Sequence, residues 1–143
     1  MKRKVWTFFY GSFVNPQVLS NADVFPTDAQ RGRLDGWDIV IEPRATLRPS
    51  DECCVYGILA KASHADLDKL YSKDWFGFGA YLPEAVNIAI GNARYVPAMC
   101  YISWEMERGK TTKEYIGKIV EIAEEYGFPK WYIDKVKAFA TLG

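Results

Sequence analysis

The residues best suited to chemistry lie in two short aromatic stretches, FFYGSFVNP and KDWFGFGAY. In the first, Gly11 and Ser12 follow an apolar run, so successive backbone N–H groups can face a ligand carboxylate or carbonyl where glycine has no Cβ. In the second, Asp74 stands among aromatic residues, and such surroundings raise the pKa of a carboxyl group toward that of a proton shuttle. Each stretch also has a plain structural explanation. Gly11 suits a strand-to-helix turn, and Asp74 suits a solvated helix end.

Other common catalytic motifs have weak support in this sequence. His64 is the only histidine, and its place directly after a predicted helix cap is typical of an exposed residue. Ser12 lacks the G-x-S-x-G frame of a nucleophilic serine, and the glycines of GFGAY do not continue into a phosphate-binding G-x-G-x-x-G loop. Cys53, Cys54 and Cys100 have no CxxC spacing and suit a core in a reducing compartment. We therefore expect no metal site and no covalent serine mechanism.

The composition is that of one compact, aromatic-rich domain spanning residues 1–143. Hydrophobic residues make up 49% and aromatic residues 15% of the chain, which favours a well-packed core. Basic and acidic residues number 18 each, so no net field draws the chain to nucleic acid or a membrane surface. No apolar run approaches the roughly 18 residues of a membrane span. We expect a cytoplasmic protein without nucleic-acid or membrane partners.

Several strands are expected to position the two aromatic stretches. Val5–Tyr10 reads as a buried strand that ends at glycine, and residues 15–22 read as a short helical turn capped by Asn15. A charged arm follows, and within it the segment Trp37–Glu42 is predicted to be a strand. Cys53–Lys61 is an apolar run between polar turns, which is typical of a central strand.

Helix signals dominate the second half of the chain. Ser63, with an acidic residue three positions later, has a capping-box pattern that predicts a helix start. The segments AYLPEAVNIAI and YVPAMCYISW read as strands, and Pro83 indicates an edge or a bulge in the first of them. From Thr112 to Tyr126 the apolar residues follow a helical period, Gly127 suits a C-cap, and Pro129 can begin a last helix. The order of elements predicts an α+β fold with a mixed or antiparallel sheet and two C-terminal helices.

Four segments, taken in order, resemble the gamma-glutamylcyclotransferase family over nearly the whole chain. FFYGSFVNPQVL is similar to the family's opening strand and Tyr-Gly-Ser loop, and the middle of the chain resembles its Ala-Thr turn and Val-(Trp/Tyr)-Gly strand. ADLDKLYSKDWFGFGAYLPEAVNI resembles the helix, catalytic acid and Gly-x-Tyr strand, and EYIGKIVEIAEEYGFPKWYIDKVKA resembles the closing helices. The resemblance implies a small, mixed β-barrel-like sheet with flanking helices and a cavity at one end.

The resemblance also implies a reaction and a set of site residues. In this family the α-amine of the substrate attacks its own γ-carbonyl and releases 5-oxoproline and a free amine or amino acid, without cofactor or metal. Tyr10, Gly11, Ser12 and Phe13 match the loop whose backbone N–H groups hold the γ-glutamyl moiety, and Tyr81 matches a tyrosine that orients the acid or the substrate.

Two departures from the family pattern keep a second function open. Asp74 stands where the family has a glutamate that accepts the ammonium proton and protonates the leaving nitrogen. The shorter side chain withdraws the carboxylate by about 1 Å, which can cost roughly a hundredfold in rate. Phe13 and Val14 stand where Asn-Leu is frequent. The alternative is therefore a non-catalytic small-molecule-binding or regulatory module. Glu42 and Glu84 are further carboxylates near the expected cavity, and Glu84 is interpreted as structural or solvent-facing.

The identity of the leaving group stays open at this point. Glutathione, a γ-glutamyl amino acid and a γ-glutamyl amine all suit the expected reaction, so the predicted partner is a small γ-glutamyl molecule. The balanced charge and the aromatic content permit a homodimer without indicating one.

Overall fold

The computed structural model describes residues 3–72, 81–91, 93–104, 106 and 109–140. These ranges contain five strands: β1 (Lys4–Phe9), β2 (Thr27–Ile41), β3 (Ala45–Ser63), β4 (Leu82–Ile90) and β5 (Arg94–Ile102). They also contain four α-helices: α1 (Pro16–Asn21), α2 (His64–Tyr71), α3 (Lys113–Glu125) and α4 (Lys130–Ala138). A single 3₁₀ turn, Ser12–Val14, follows β1.

The strands form one mixed sheet that closes on itself. Their order is β1-β3-β2-β4-β5, and β5 pairs in parallel with β1 through Thr7 opposite Met99 and Phe8 opposite Cys100. All other neighbouring strands are antiparallel. The α+β fold, the mixed barrel-like sheet and the two C-terminal helices predicted from the sequence are confirmed.

The long hairpin of β2 and β3 differs from its prediction. β2 has 15 residues and begins at Thr27, so most of the segment interpreted as a charged arm is strand. Leu34 is buried between Arg33 and Asp35, whose side chains form an ion pair of 2.8 Å on the outer face. Charged residues that point outward from a strand keep its period of two but reduce the apolar signal. The sequence therefore predicted too short a strand.

The local signals for helix ends agree with the structure. The Ser63 hydroxyl accepts the backbone N–H of Asp66 at 3.1 Å and caps α2. Thr112 caps α3 in the same way, Gly127 has a φ of +70° just after that helix, and Pro129 directly precedes α4. These signals depend on residues a few positions apart, so they are readable without tertiary information.

Pro83 lies in a regular edge of the sheet. The register between β4 and β5 runs without a shift from Leu82 opposite Ile102 to Ile90 opposite Arg94, so of the two predicted alternatives, an edge or a bulge, the structure supports the edge. Pairing of β4 with β2 is confined to Ala89 opposite Arg33, so among the described residues Pro83 lies where β4 pairs with β5 alone. A proline without an N–H group is tolerated at such an edge.

The core fills the closed sheet and the space beneath α3. Phe8 and Leu59 from the sheet are fully buried, and Ile119 from α3 is 1% exposed. Because β1 is held in this core, the residues that follow it start from a fixed position. In the part of the chain that the structure describes, no helix has the length and apolar character needed to cross a membrane.

Candidate functional site

The turn after β1 presents backbone donors. The N–H of Val14 donates to the Gly11 carbonyl at 3.1 Å, and the N–H of Asn15 donates to the Ser12 carbonyl at 3.0 Å. The first N–H groups of a helical turn have no acceptor inside that turn. Among the described residues, the N–H groups of Ser12 and Phe13 make no hydrogen bond. They are therefore available to a ligand oxygen.

Gly11 is required by packing against the protein itself. A Cβ placed on Gly11 would lie 2.9 Å from the Ala45 Cβ and 3.1 Å from the Tyr115 hydroxyl oxygen. The φ of Gly11 is −96°, so glycine is not needed here for a left-handed conformation. The structure therefore gives this glycine a packing reason, the close approach of β3 and α3, and the close ligand approach inferred from the sequence stays a prediction.

Asn15 fastens the turn to α3. Its Oδ1 accepts the Gln17 N–H at 3.0 Å and caps α1, as the sequence predicted. Its Nδ2 donates to the Lys118 carbonyl at 3.0 Å and to the Glu121 carboxylate at 3.1 Å. Asn15 is only 2% exposed. This second role joins positions more than a hundred residues apart and has no local sequence signal.

Two tyrosines hold the peptide groups of Ala45. The Ala45 N–H donates to the Tyr115 hydroxyl at 2.9 Å, and the Tyr81 hydroxyl donates to the Ala45 carbonyl at 2.5 Å. The Ala45 Cβ in turn lies beside Gly11, 2.9 Å from where a Cβ on that glycine would be. Sequence analysis missed Tyr115 because its helical spacing suggested a core residue. The only sequence signal for a polar role is its phenol, which needs a hydrogen-bond partner when buried.

An aromatic wall supports the site. Tyr71 stacks on Tyr101 with ring centroids 4.1 Å apart, and it meets Phe13 and Tyr81 at 5.4 and 5.6 Å. The Tyr10 hydroxyl donates to the Tyr101 carbonyl at 2.6 Å. Burial raises the pKa of Tyr10, Tyr71 and Tyr81 above that of free tyrosine, so each keeps its proton at neutral pH. These phenols can donate hydrogen bonds, but they are poor bases.

Arg44 brings positive charge to the aromatic wall. Its guanidinium carbon lies 5.9 Å from the centroid of the Phe13 ring, a cation–π distance. The charge of Arg44 lowers the pKa of Tyr81, although the raising effect of burial is larger. An anionic ligand at this wall would therefore meet a permanent cation.

The five residues predicted to bind substrate meet around one small cavity. Its volume is about 20 Å³, which is room for roughly one water molecule. It is lined by Tyr10, Gly11, Ser12, Phe13, Arg44, Ala45, Tyr71, Tyr81 and Tyr115. The five residues assigned to substrate binding thus lie together, and the structure adds Arg44, Ala45, Tyr71 and Tyr115 to them.

A wider cavity of about 480 Å³ lies beside the small one. The two cavities share Ser12, Arg44 and Tyr115 as lining residues. A γ-glutamyl group, the ligand that the resemblance implies, is larger than one water molecule and would need the wider cavity or a movement of the side chains between the two. Phe13, Arg44 and Tyr115, which line the small cavity, are half-buried.

The structure describes two of the three candidate carboxylates, Glu84 and Glu42. Asp74 lies outside the described residues, so its catalytic role stays a prediction. Glu84 accepts the indole N–H of Trp104 at 3.2 Å and lines neither of these cavities. Glu42 lines a third cavity of about 100 Å³ together with Ile41 and Phe139.

Among the residues that the structure describes, the cysteines and the possible metal ligands form no second candidate site. Cys100 is buried, as expected, whereas Cys53 and Cys54 are half-buried rather than core residues. Within the described ranges, no three His, Cys, Asp or Glu side chains are grouped so that they could hold a metal ion.

Several solved structures share this fold. A structure named gamma-glutamyl cyclotransferase has a TM-score of 0.78 and 20% identity, with 95% of this chain and 88% of that chain covered. An uncharacterized human protein, loc79017, has a TM-score of 0.78 and 21% identity over 94% of this chain and 87% of that chain. A yeast gamma-glutamyl cyclotransferase specific to glutathione has a TM-score of 0.66 and 12% identity, with 96% of each chain covered. Such identities show a shared fold.

The family follows from the sequence match. The model of the AIG2-like family matches residues 54–136, more than half of the chain, and the chain therefore belongs to the AIG2-like family. The resemblance to gamma-glutamylcyclotransferases inferred from the ordered motifs is confirmed at the level of family and fold. No protein with curated annotation matches the sequence.

Proposed function

We propose that this protein is a cyclotransferase that releases 5-oxoproline from a γ-glutamyl amine or γ-glutamyl peptide. The observation that carries the proposal is the meeting of Tyr10, Gly11, Ser12, Phe13 and Tyr81 around one cavity in a chain of this family. The names of two structural neighbours, a gamma-glutamyl cyclotransferase and a glutathione-specific one, support the same class of substrate.

The backbone donors suit the charge that develops in this reaction. The α-amine nitrogen bonds to the γ-carbonyl carbon, and the carbonyl oxygen gains negative charge before the bond to the leaving nitrogen breaks. Preorganised N–H donors stabilise such an oxygen, and the N–H groups of Ser12 and Phe13 are available for it. Arg44 adds positive charge beside the same cavity.

The proton transfers call for a group other than the tyrosines. A base must take one proton from the substrate ammonium, and an acid must give one to the leaving nitrogen. The buried tyrosines are protonated at neutral pH, and no carboxylate is among the described residues that line the small cavity. We assign the base and the acid to Asp74, the residue that the family resemblance indicates. No cofactor or metal is part of this proposal.

The test is 5-oxoproline release from a panel of γ-glutamyl amides. We expect 5-oxoproline release to disappear in Asp74→Asn and to persist or rise in Asp74→Glu, because only a carboxylate can carry the proton. Asp51→Asn, which changes an exposed aspartate of β3 in the same way, serves as the control and should keep full activity. Unchanged turnover in Asp74→Asn would falsify the assignment.

A binding module is the second candidate, and the cavity size favours it. A volume of about 20 Å³ is small for a γ-glutamyl group, and aspartate has a shorter reach than the family glutamate. This candidate predicts that glutamate-like ligands bind without any 5-oxoproline being formed. Turnover at an ordinary enzymatic rate, about 1 s⁻¹ or faster, excludes it. Under either candidate the partner is a small cytoplasmic γ-glutamyl molecule.

A further inference from the structure

The closed sheet has a free strand edge where the pairing of β5 with β1 stops. Among the described residues this parallel pairing is confined to Thr7 with Met99 and Phe8 with Cys100. Arg94–Pro97, the start of β5, pair with β4 alone. Their backbone groups that point away from β4 therefore have no strand partner in the described part of the chain. Such an edge is a template for a further strand.

An apolar groove lies beside this edge. Its volume of about 390 Å³ is within the usual range of roughly 300–1,000 Å³ for ligand pockets. Its described lining is apolar except for Asn87, and Trp6 from β1, Val86 from β4 and Met99 from β5 are half-buried. Pro97 also lines the groove, and proline is typical of a strand edge without a partner. A partner that covers these side chains would bury further apolar area.

The end of the groove at which both strands begin is cationic. β1 begins at Lys4, which follows Arg3, and the parallel strand β5 begins at Arg94. All three side chains are exposed, and none forms an ion pair with another described residue. The Lys61 ammonium lies 4.9 Å from the centroid of the Trp6 ring. Because neither β1 nor β5 contains a carboxylate, this end favours an anionic partner.

We propose that this groove binds an extended peptide segment of a partner protein, with alternating apolar side chains and an acidic C-terminal end. The peptide adds to the free edge of β5 in the antiparallel direction, which is the more stable pairing per residue. That direction places the acidic end beside Arg94 and the apolar side chains against Trp6 and Val86. An acyl chain has no hydrogen-bonding groups with which to satisfy the edge. The groove shares no lining residue with the cavities of the candidate site, so this inference is independent of the proposed function.

Fluorescein-labelled peptides of eight residues provide the test. The first has the sequence Thr-Val-Thr-Val-Thr-Val-Glu-Glu, and two others have isoleucine or phenylalanine in place of valine. We expect at least one of them to bind in fluorescence anisotropy with a Kd of about 100 μM or tighter. Exchange of its two glutamates for lysines should weaken binding about tenfold or more, because the cations at that end of the groove then repel the peptide.

Two pairs of variants locate the binding. Ala85→Glu puts a larger, charged side chain into the groove and should raise the Kd about tenfold or more, whereas Ala65→Glu, the same change at an exposed position of α2, should stay within about twofold. Arg94→Gln should raise the Kd roughly threefold to fivefold, since an exposed ion pair is partly screened by solvent. Lys118→Gln removes one positive charge from the exposed face of α3 and should stay within about twofold.

Amide hydrogen exchange should show slower exchange in Arg94–Pro97 with the peptide bound, and unchanged exchange in α3. Binding of none of the three acidic peptides overturns the inference. Equal binding of the acidic and the lysine peptides, or an equal loss in both members of either variant pair, also overturns it. A dimer of the protein alone that Ala85→Glu dissociates would assign the groove to a second copy, and binding to phosphatidylserine vesicles in place of the peptides would assign it to a membrane surface. Either result overturns the peptide proposal.

Discussion

Replacing Gly11 by alanine should destabilise the fold through a contact that a second substitution can remove. The new Cβ would lie 2.9 Å from the Ala45 Cβ and 3.1 Å from the Tyr115 hydroxyl oxygen. The first distance falls short of ordinary carbon–carbon contact by at least ~0.6 Å. Ala45 is 2% exposed and its Cβ is fixed to the β3 backbone, so the strain cannot be relieved by rotating a side chain.

The expected loss of unfolding free energy is about 2–4 kcal/mol. Overpacking a well-packed region costs about 1–3 kcal/mol. Displacement of the Tyr115 hydroxyl also removes the acceptor of the buried Ala45 N–H, and a buried donor left without a partner costs about 1–3 kcal/mol. Partial relaxation keeps the sum below the two maxima.

Ala45→Gly removes the atom that the new Cβ meets. By itself this change should cost about 1 kcal/mol, through added backbone freedom in a strand. In the double variant the collision with β3 is absent, and the loss should be smaller than the sum of the single losses by about 1 kcal/mol or more. The remaining contact with the Tyr115 hydroxyl keeps the rescue partial.

Urea unfolding followed by tryptophan fluorescence measures all three variants. Gly117→Ala is the control, because nothing lies within 4 Å of a Cβ at this exposed position of α3, and it should stabilise the protein by about 0.5–1 kcal/mol. Losses that add within about 0.5 kcal/mol would refute the reasoning. So would a Gly11→Ala variant as stable as the wild type.

Three further changes test other parts of the structure. Asn15→Ala should lower the unfolding free energy by about 2–3 kcal/mol in urea titrations, because it removes the α1 cap and two bonds to α3, whereas the exposed Asn21→Ala should stay within about 0.5 kcal/mol. Thr111→Val should leave stability unchanged or raise it by up to about 1 kcal/mol, and a larger loss would show that the hydroxyl has a partner. Burial and, to a smaller extent, the charge of Glu84 raise the pKa of the Cys100 thiol to about 12. As the pH rises above about 8.5, the thiol therefore ionises in the unfolded chain before it ionises in the folded protein. The contribution of this thiol to the free energy of unfolding is complete below that pH and falls by up to about 1.4 kcal/mol per pH unit toward pH 12. In Cys100→Ala the free energy of unfolding should therefore fall less steeply between pH 9 and 10.5 than in the wild type. Equal slopes would contradict the assignment.

Local interactions explain which features could be predicted from the sequence. The caps at Ser63 and Asn15 and the glycine after α3 each depend on residues within about four positions. The order of the motifs likewise led to the family and the α+β fold, because those motifs are contiguous segments. The extent of β2 was underestimated because its outward charges reduced the apolar signal, although Leu34 between Arg33 and Asp35 kept the alternation.

The sequence by itself determined the class of fold and the helix ends, and its motifs predicted the five residues that meet around the small cavity, because each of these is encoded in neighbouring positions. Only the tertiary structure decided that Gly11 is packed against Ala45 and Tyr115, and that Arg44 and Lys110 line one cavity. These partners come from β3, from α3 and from the segment before α3, which the chain brings together only when the sheet closes and α3 packs across the turn. The geometry of the candidate site therefore depends on contacts between residues far apart in the chain, for which a single sequence has no local signal.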